Sequence, residues 1–147
     1  MPTIRRSRTI AATPEDLWAV VGDPYHLPRW WPRVDRVEAV AGGKFTELLR
    51  AKSGRNVRAD FRIDKKERDR LLAFDQQIDG TPFERVLQQS RTEIALEPAG
   101  EGATRVTITL KQKMRGAGRL GGLLVRRAGR RVLDTALEGL EDISAAS

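Results

Sequence analysis

Cysteine is absent from the 147 residues. That excludes a disulfide framework and any cysteine-ligated metal, and it fits a reducing compartment. Histidine occurs once, at His26. With no second histidine and no thiolate, a transition-metal site lacks its ligand set, and no metal or other cofactor is expected. Aromatic residues make up only 5%, too few for the exposed stacking face that reads single-stranded RNA. No apolar run is long enough to span a bilayer. The opening MPTIRRSRTI has charge but no apolar segment, so it does not read as a signal peptide. The expectation is a cytoplasmic chain folded as a single domain over residues 1–147.

What the chain has in excess is positive charge, +7 at neutral pH. Such a balance points toward nucleic acid or an anionic surface. Here 20 acidic residues are mixed among the basic ones, so there is no polybasic tail. No base-reading motif accompanies the charge. Specific nucleic-acid binding is therefore not expected, and a weak, salt-sensitive contact with anionic surfaces is.

All three tryptophans, the tyrosine and the histidine lie between Thr13 and Pro32. Thr13 followed by Pro14 and Asp16 reads as a capped helix start. Leu17, Val20 and Val21 repeat at helical spacing, and Gly22 ends the segment. Asp23-Pro24 is a second start, and Pro32 limits that helix to about Trp31.

Strands surround this pair. Thr3 to Ala11 is the first, with Ile4, Arg6, Arg8 and Ile10 on one face unless a bulge turns the arginines outward. Val34 to Ala41 and Lys44 to Ala51 follow. Val57, Ala59, Phe61 and Ile63 then alternate with Arg58, Asp60, Arg62 and Asp64, a half-buried strand. Lys65 to Arg70 reads as a solvated turn. Leu72, Phe74, Gln76 and Ile78 line one face of the next strand. Phe83 to Glu97 reads as a long strand, and Val106, Ile108 and Leu110 lie on the last. Short polar turns make the sheet an antiparallel meander.

The final segment is helical. Val125, Gly129, Val132, Ala136, Leu140 and Ile143 form one apolar stripe, with the helix starting after or bending at Gly121-Gly122. Arg130 and Asp134 are spaced for an i,i+4 pair. Gly116-x-Gly118-x-x-Gly121 has the lettering of a dinucleotide fingerprint, but too little chain follows for a βαβ unit. It reads as the entry to the helix, where Arg115 and Arg119 flank a place for an anion. The fold class is α+β: a curved antiparallel sheet of about six or seven strands, with two short helices after the first strand, wrapped around a long C-terminal helix. The gap between a curved sheet and the helix it grips is a place for a small apolar ligand.

The N-terminal strand running into Ala11-Ala12-Thr13-Pro14-Glu15-Asp16-Leu17-Trp18, then Asp23-Pro24, then Leu27-Pro28-Arg29-Trp30-Trp31-Pro32, resembles the START-like, helix-grip (SRPBCC) superfamily in its polyketide cyclase/dehydrase branch. The resemblance implies a helix-grip fold over nearly the whole chain. It implies function loosely, because that group includes lipid carriers, aromatase/cyclases and receptors.

The candidate ligand-binding residues are Trp30, Trp31, Phe61, Phe74, Gln76, Ile108, Gln112 and Val132. Gln76 and Gln112 matter most, as polar residues on apolar strand faces. Trp30 and Trp31 are core and rim anchors whose N–H groups can donate. No Ser–His–Asp or paired-carboxylate arrangement emerges from spacing. His26, Tyr25, Arg85 and Arg91 are the side chains available for acid–base work or carbonyl polarisation. Three functions follow: a binder of a hydrophobic or aromatic small molecule of lipid, polyketide or isoprenoid type, a cyclase/dehydratase-like enzyme on such a ligand, and a module that meets a partner through its basic surface. A titratable group inside the cavity separates the second from the first.

Overall fold

The computed structural model describes residues 3–116 and 119–146, with side chains left out at 119–123 and 146. Strand β1 (Thr3–Ile10) leads into α1 (Pro14–Val21), a 3-10 turn (Pro24–His26) and the single-turn α2 (Leu27–Trp30). Both helical starts form as their sequences dictate. The Thr13 hydroxyl accepts from the Asp16 N–H at 3.1 Å, and the Asp23 carboxylate accepts from the Tyr25 N–H at 3.0 Å. Six strands follow: β2 (Val34–Ala41), β3 (Lys44–Arg50), β4 (Asn56–Glu67), β5 (Leu71–Gln77), β6 (Leu87–Pro98) and β7 (Thr104–Met114). Helix α3 (Arg119–Ala146) ends the fold.

The seven strands form one antiparallel sheet in the order β1-β7-β6-β5-β4-β3-β2. The N-terminal strand thus closes the meander beside the last strand. Two strand limits differ from the sequence reading. Lys65, Lys66 and Glu67 are not a turn but pair with Ala73, Leu72 and Leu71 beyond a register shift after Ile63. Phe83 to Arg85 falls in a 3-10 turn, so the strand begins at Leu87. Pro82 fixes the turn's first φ and cannot donate to a ladder.

β1 pairs with β7 without a bulge, placing Arg6 opposite Ile108 and Arg8 opposite Val106. Both arginines therefore lie on the helix side of the sheet. They escape burial because β1 is an edge strand: Arg6 reaches Asp134 with two bonds of 2.8 and 3.1 Å, and Arg8 reaches Glu141 at 3.2 Å. Asp134 thus serves β1 rather than Arg130. Exposed pairs of this kind contribute at most about 1 kcal/mol each, but inward charges also discourage another chain from adding to the edge. The opposite edge, β2, is broken by register shifts, with Ala39 at φ 55°.

On α3 the buried face is wider than the expected stripe. Leu133, Ala136, Leu137 and Leu140 are fully buried, whereas Val125, Val132 and Ile143 are half-buried flanks. Gly118 of the glycine motif lies outside the described residues, as do the side chains of Arg119 and Gly121; Arg115 donates to the Glu84 carbonyl at 3.0 Å. The helix starts at Arg119, before Gly121-Gly122. Gly139 sets how closely α2 approaches α3. A Cβ there would lie 2.7 Å from the Trp30 carbonyl oxygen and 3.1 Å from its Cα. Backbone cannot step aside without moving α2. At Gly129 the added atom meets only the tip of Ile4, at 2.5 Å, and a rotamer change resolves that. Gly139→Ala is therefore expected to lower stability by roughly 1–3 kcal/mol. Gly129→Ala should gain up to about 1 kcal/mol of helix propensity against a small repacking cost. Thermal melts of the two variants check this; the reverse order would mean that α2 does not pack on Gly139.

Candidate functional site

The side of the sheet facing α3 is built row by row from the strand register. Phe45 pairs with Phe61, and Phe61 with Gln76. In the next row, Ile63, Phe74, Thr92, Leu110 and Ile4 succeed one another across five strands. The three phenylalanines form a closed cluster. Phe45 stacks on Phe61 at 5.1 Å, and Phe74 meets both edge-on at 5.2 and 5.5 Å. Such geometry adds to the area each ring buries. Ile108 is fully buried in the wall, and Val132 half-buried on α3.

Polar groups interrupt this apolar wall. The Gln76 amide nitrogen is sealed from solvent and has no hydrogen-bond partner. Gln112, on β7, donates to the Ser90 hydroxyl at 3.2 Å, directly across the β6–β7 ladder. The Trp30 indole N–H is likewise sealed and unpaired, in a residue only 4% exposed. Trp31 meets Trp30 edge-on at 5.5 Å and is half-buried at the rim. Buried donors normally find partners, so two orphans in one interior call for an explanation.

Glu47 is the residue the sequence reading passed over. It lies on β3 between Val37 of β2 and Ala59 of β4, on the same face as Phe45, and is 5% exposed. Burial alone pushes its carboxyl up to about 8. The signal was present in Phe45-x-Glu47-x-Leu49, where strict alternation puts the glutamate on the phenylalanine's face.

The four side chains available for acid–base work lie elsewhere. Tyr25 is 53% exposed on the 3-10 turn. His26 has Nδ1 3.1 Å from Arg29 and Nε2 3.8 Å from Asp23. Arg85 is exposed on the second 3-10 turn. Arg91 is on the outer face of the sheet, held by Asp64 at 2.8 Å, Asp75 at 2.9 Å and Glu93 at 3.0 Å. It is committed to a carboxylate network and turned away from the interior.

Openings among the described residues border this interior. A groove of about 740 Å³ runs between α2, the ends of β2 and β3, and α3, past Trp31, Arg29, Arg50, Lys52, Glu138 and Asp142. Its mouth is charged rather than mainly apolar. A second, of about 860 Å³, lies between α1 and α3 along Val20 and Ile143. A third, of about 490 Å³, opens where β5 and β6 part beyond the Asp75–Arg91 pair, and reaches Gln76 and Ser90. Among the described residues no group of side chains is arranged to hold a metal ion, and no helix is long and apolar enough to cross a membrane.

The same arrangement of elements occurs in solved proteins. A START superfamily protein from Mycobacterium smegmatis superposes with a TM-score of 0.78 at 14% identity, over 95% of this chain and 94% of that one. A protein from Thermus thermophilus is similar at 24% identity and a TM-score of 0.75, over 99% and 100%. The di-domain ARO/CYC BexL of the BE-7585A biosynthetic pathway is similar at 17% identity and a TM-score of 0.79; 97% of this chain covers 46% of that one. These likenesses show the fold, a helix-grip arrangement of seven strands around a C-terminal helix. No curated protein matches the sequence. The family model described as polyketide cyclase / dehydrase and lipid transport matches residues 1–144. With that match spanning nearly every residue of a START-like fold, the chain belongs to the polyketide cyclase / dehydrase and lipid transport family.

Proposed function

We propose that this protein, acting as one domain, binds a hydrophobic or aromatic small molecule of lipid, polyketide or isoprenoid type between the inner face of its sheet and α3. The observation that carries this reading is the pair of sealed, unpaired donors, the Gln76 amide and the Trp30 indole, in an otherwise apolar wall. An apolar interior with a few convergent polar groups is how small-molecule sites orient a ligand. Leaving a buried donor without a partner costs about 1–3 kcal/mol, a cost that a ligand with acceptor oxygens removes. Phe61, Phe74 and Ile108 would form the wall, Gln112 and Val132 its upper end, and Trp31 the rim.

Two measurements test this. Native mass spectrometry of protein purified from its own host should show a bound small molecule. A fluorescent apolar probe should bind and be displaced by aromatic or lipidic compounds, with Trp30→Ala and Trp31→Ala altering its affinity. Gln76→Leu has opposite expected effects on stability and binding. It removes an unpaired buried amide, so stability rises by about 1 kcal/mol, while capture of oxygen-bearing ligands weakens. A variant that loses stability and keeps its ligand would refute the assignment of Gln76.

An enzyme of the cyclase/dehydratase kind is the second reading. One observation favours it: Glu47 is a titratable group on the inner face, which Tyr25, His26, Arg85 and Arg91 are not. Loss of the mass of one water from a captured ligand during incubation would favour the enzyme over the carrier.

A further inference from the structure

We propose that Glu47 is a specificity-determining residue of this interior, hydrogen-bonding a carbonyl oxygen of an otherwise apolar ligand and so selecting it over a hydrocarbon of the same shape. The inference rests on the interior-ligand reading above and adds the chemical class that the site takes.

Geometry carries it. Glu47 sits on a central stretch of β3, only 5% exposed, on the face that bears Phe45 and Phe61. Its neighbours across the sheet on that face are Val37 and Ala59. No ion pair or hydrogen bond engages its carboxyl among the described residues, whereas Asp60 is held by Thr46 and Arg58, and Glu93 by Arg91 and Lys111. A buried acid with no partner is costly to keep for packing alone.

The surroundings decide its protonation state. Phe45 and Leu49 on the same face of its own strand, and Val37 and Ala59 beside it, carry no ionisable group. The charged residues next to Val37 and Ala59 on the flanking strands, Arg36 and Glu38 on β2 and Arg58 and Asp60 on β4, are on the outer face, and His26 is turned to Asp23 and Arg29. With desolvation unopposed, the carboxyl holds its proton up to about pH 8. A neutral acid offers an O–H donor. The Trp30 N–H and the Gln76 amide are donors too, so the interior presents hydrogen-bond donors awaiting acceptor oxygens. Ketones, esters and quinones meet that demand; alkanes and alkyl arenes do not.

The test uses the full-length protein and two fluorescent probes of matched shape, 2-acetylanthracene and 2-ethylanthracene, compared after correction for water–octanol partition. Wild-type protein at pH 7 should favour the acetyl probe by about tenfold. Glu47→Leu should lose most of that preference while binding the ethyl probe at least as well. Glu47→Gln, which keeps shape and an N–H donor, should retain part of it. Raising the pH to 9.5 should remove most of the wild-type preference and leave that of Glu47→Gln unchanged. Equal affinity of wild-type protein for the two probes would overturn the role of Glu47 and leave the interior-ligand reading standing. Preference for a cationic 2-aminomethylanthracene at pH 7 would also overturn it, since that requires a carboxylate. Binding of neither anthracene would overturn the interior-ligand reading, and this inference with it.

Discussion

Leu140→Asp is expected to leave the protein unfolded at neutral pH. Leu140 has no exposed surface and lies on the face of α3 that the sheet grips, with Leu133, Ala136 and Leu137. Removing a buried leucine side chain costs about 2–5 kcal/mol, and an unpaired buried charge adds a few more unless it takes up a proton. A domain of this size holds about 5–15 kcal/mol in total, so the sum reaches the whole margin. Val132→Asp is the internal comparison. Val132 is half-buried on the flank of the helix, so an aspartate there can turn its carboxylate to water, and the variant should melt lower but fold. Circular dichroism with a urea titration separates the two. A cooperative, wild-type-like transition in Leu140→Asp would mean that the gripped face of α3 is misassigned.

Stability should fall as pH rises from about 5 to 8, and Glu47→Gln should remove that fall. In the unfolded chain the Glu47 carboxyl ionises near its ordinary value of 4.5, and in the fold burial pushes it up to about 8. Between those values the folded state holds a proton that the unfolded state has released. Stability then decreases with pH across this window and levels off above it. The span corresponds to about 5 kcal/mol at about 1.4 kcal/mol per pH unit. Glu47→Gln should match the wild type near pH 4.5 and exceed it by several kcal/mol at pH 9. Other acids act in the opposite sense at lower pH. The Thr46 hydroxyl and Arg58 hold Asp60 below the usual carboxylate range. Burial pushes Glu93 up, yet hydrogen bonds from Arg91 and Lys111 outweigh it and hold it low as well. Their stabilising contribution is present above about pH 4.5 and disappears below it, so it does not mask the window from 5 to 8. Urea unfolding at half-unit steps of pH reads the slope. Coincident, flat curves for wild type and Glu47→Gln would show the carboxyl to be hydrated in the folded state.

The local signals in the sequence determined the element order, because each is written in neighbouring residues. Thr13-Pro14 and Asp23-Pro24 start the helical segments in the structure as they do on paper. The alternation of Val57, Ala59, Phe61 and Ile63 is the register of β4, and the motif from Ala11 to Pro32 carried the family. The strand ends were less legible. Lys65 to Glu67 look like a turn to a composition argument, yet their backbone pairs with β5 while their side chains stay in water.

What only the tertiary structure decided was which neighbour each ambiguous side chain meets. Arg6 and Arg8 lie on the inner face and are tolerable there because β1 is an edge strand with Asp134 and Glu141 within reach, residues more than 120 positions away. Arg91, on paper a side chain available for acid–base work or carbonyl polarisation, belongs to an outer network because β5 and β4 bring Asp75 and Asp64 to it. Leu133 and Leu137 join the stripe because a curved sheet covers more than a narrow seam of a helix. Glu47 reads as an ordinary acid in KFTELLR. It is set apart only when β2 and β4 supply Val37 and Ala59 as its neighbours and no cation among the described residues pairs with it, because desolvation is a property of the assembled surroundings and not of the chain.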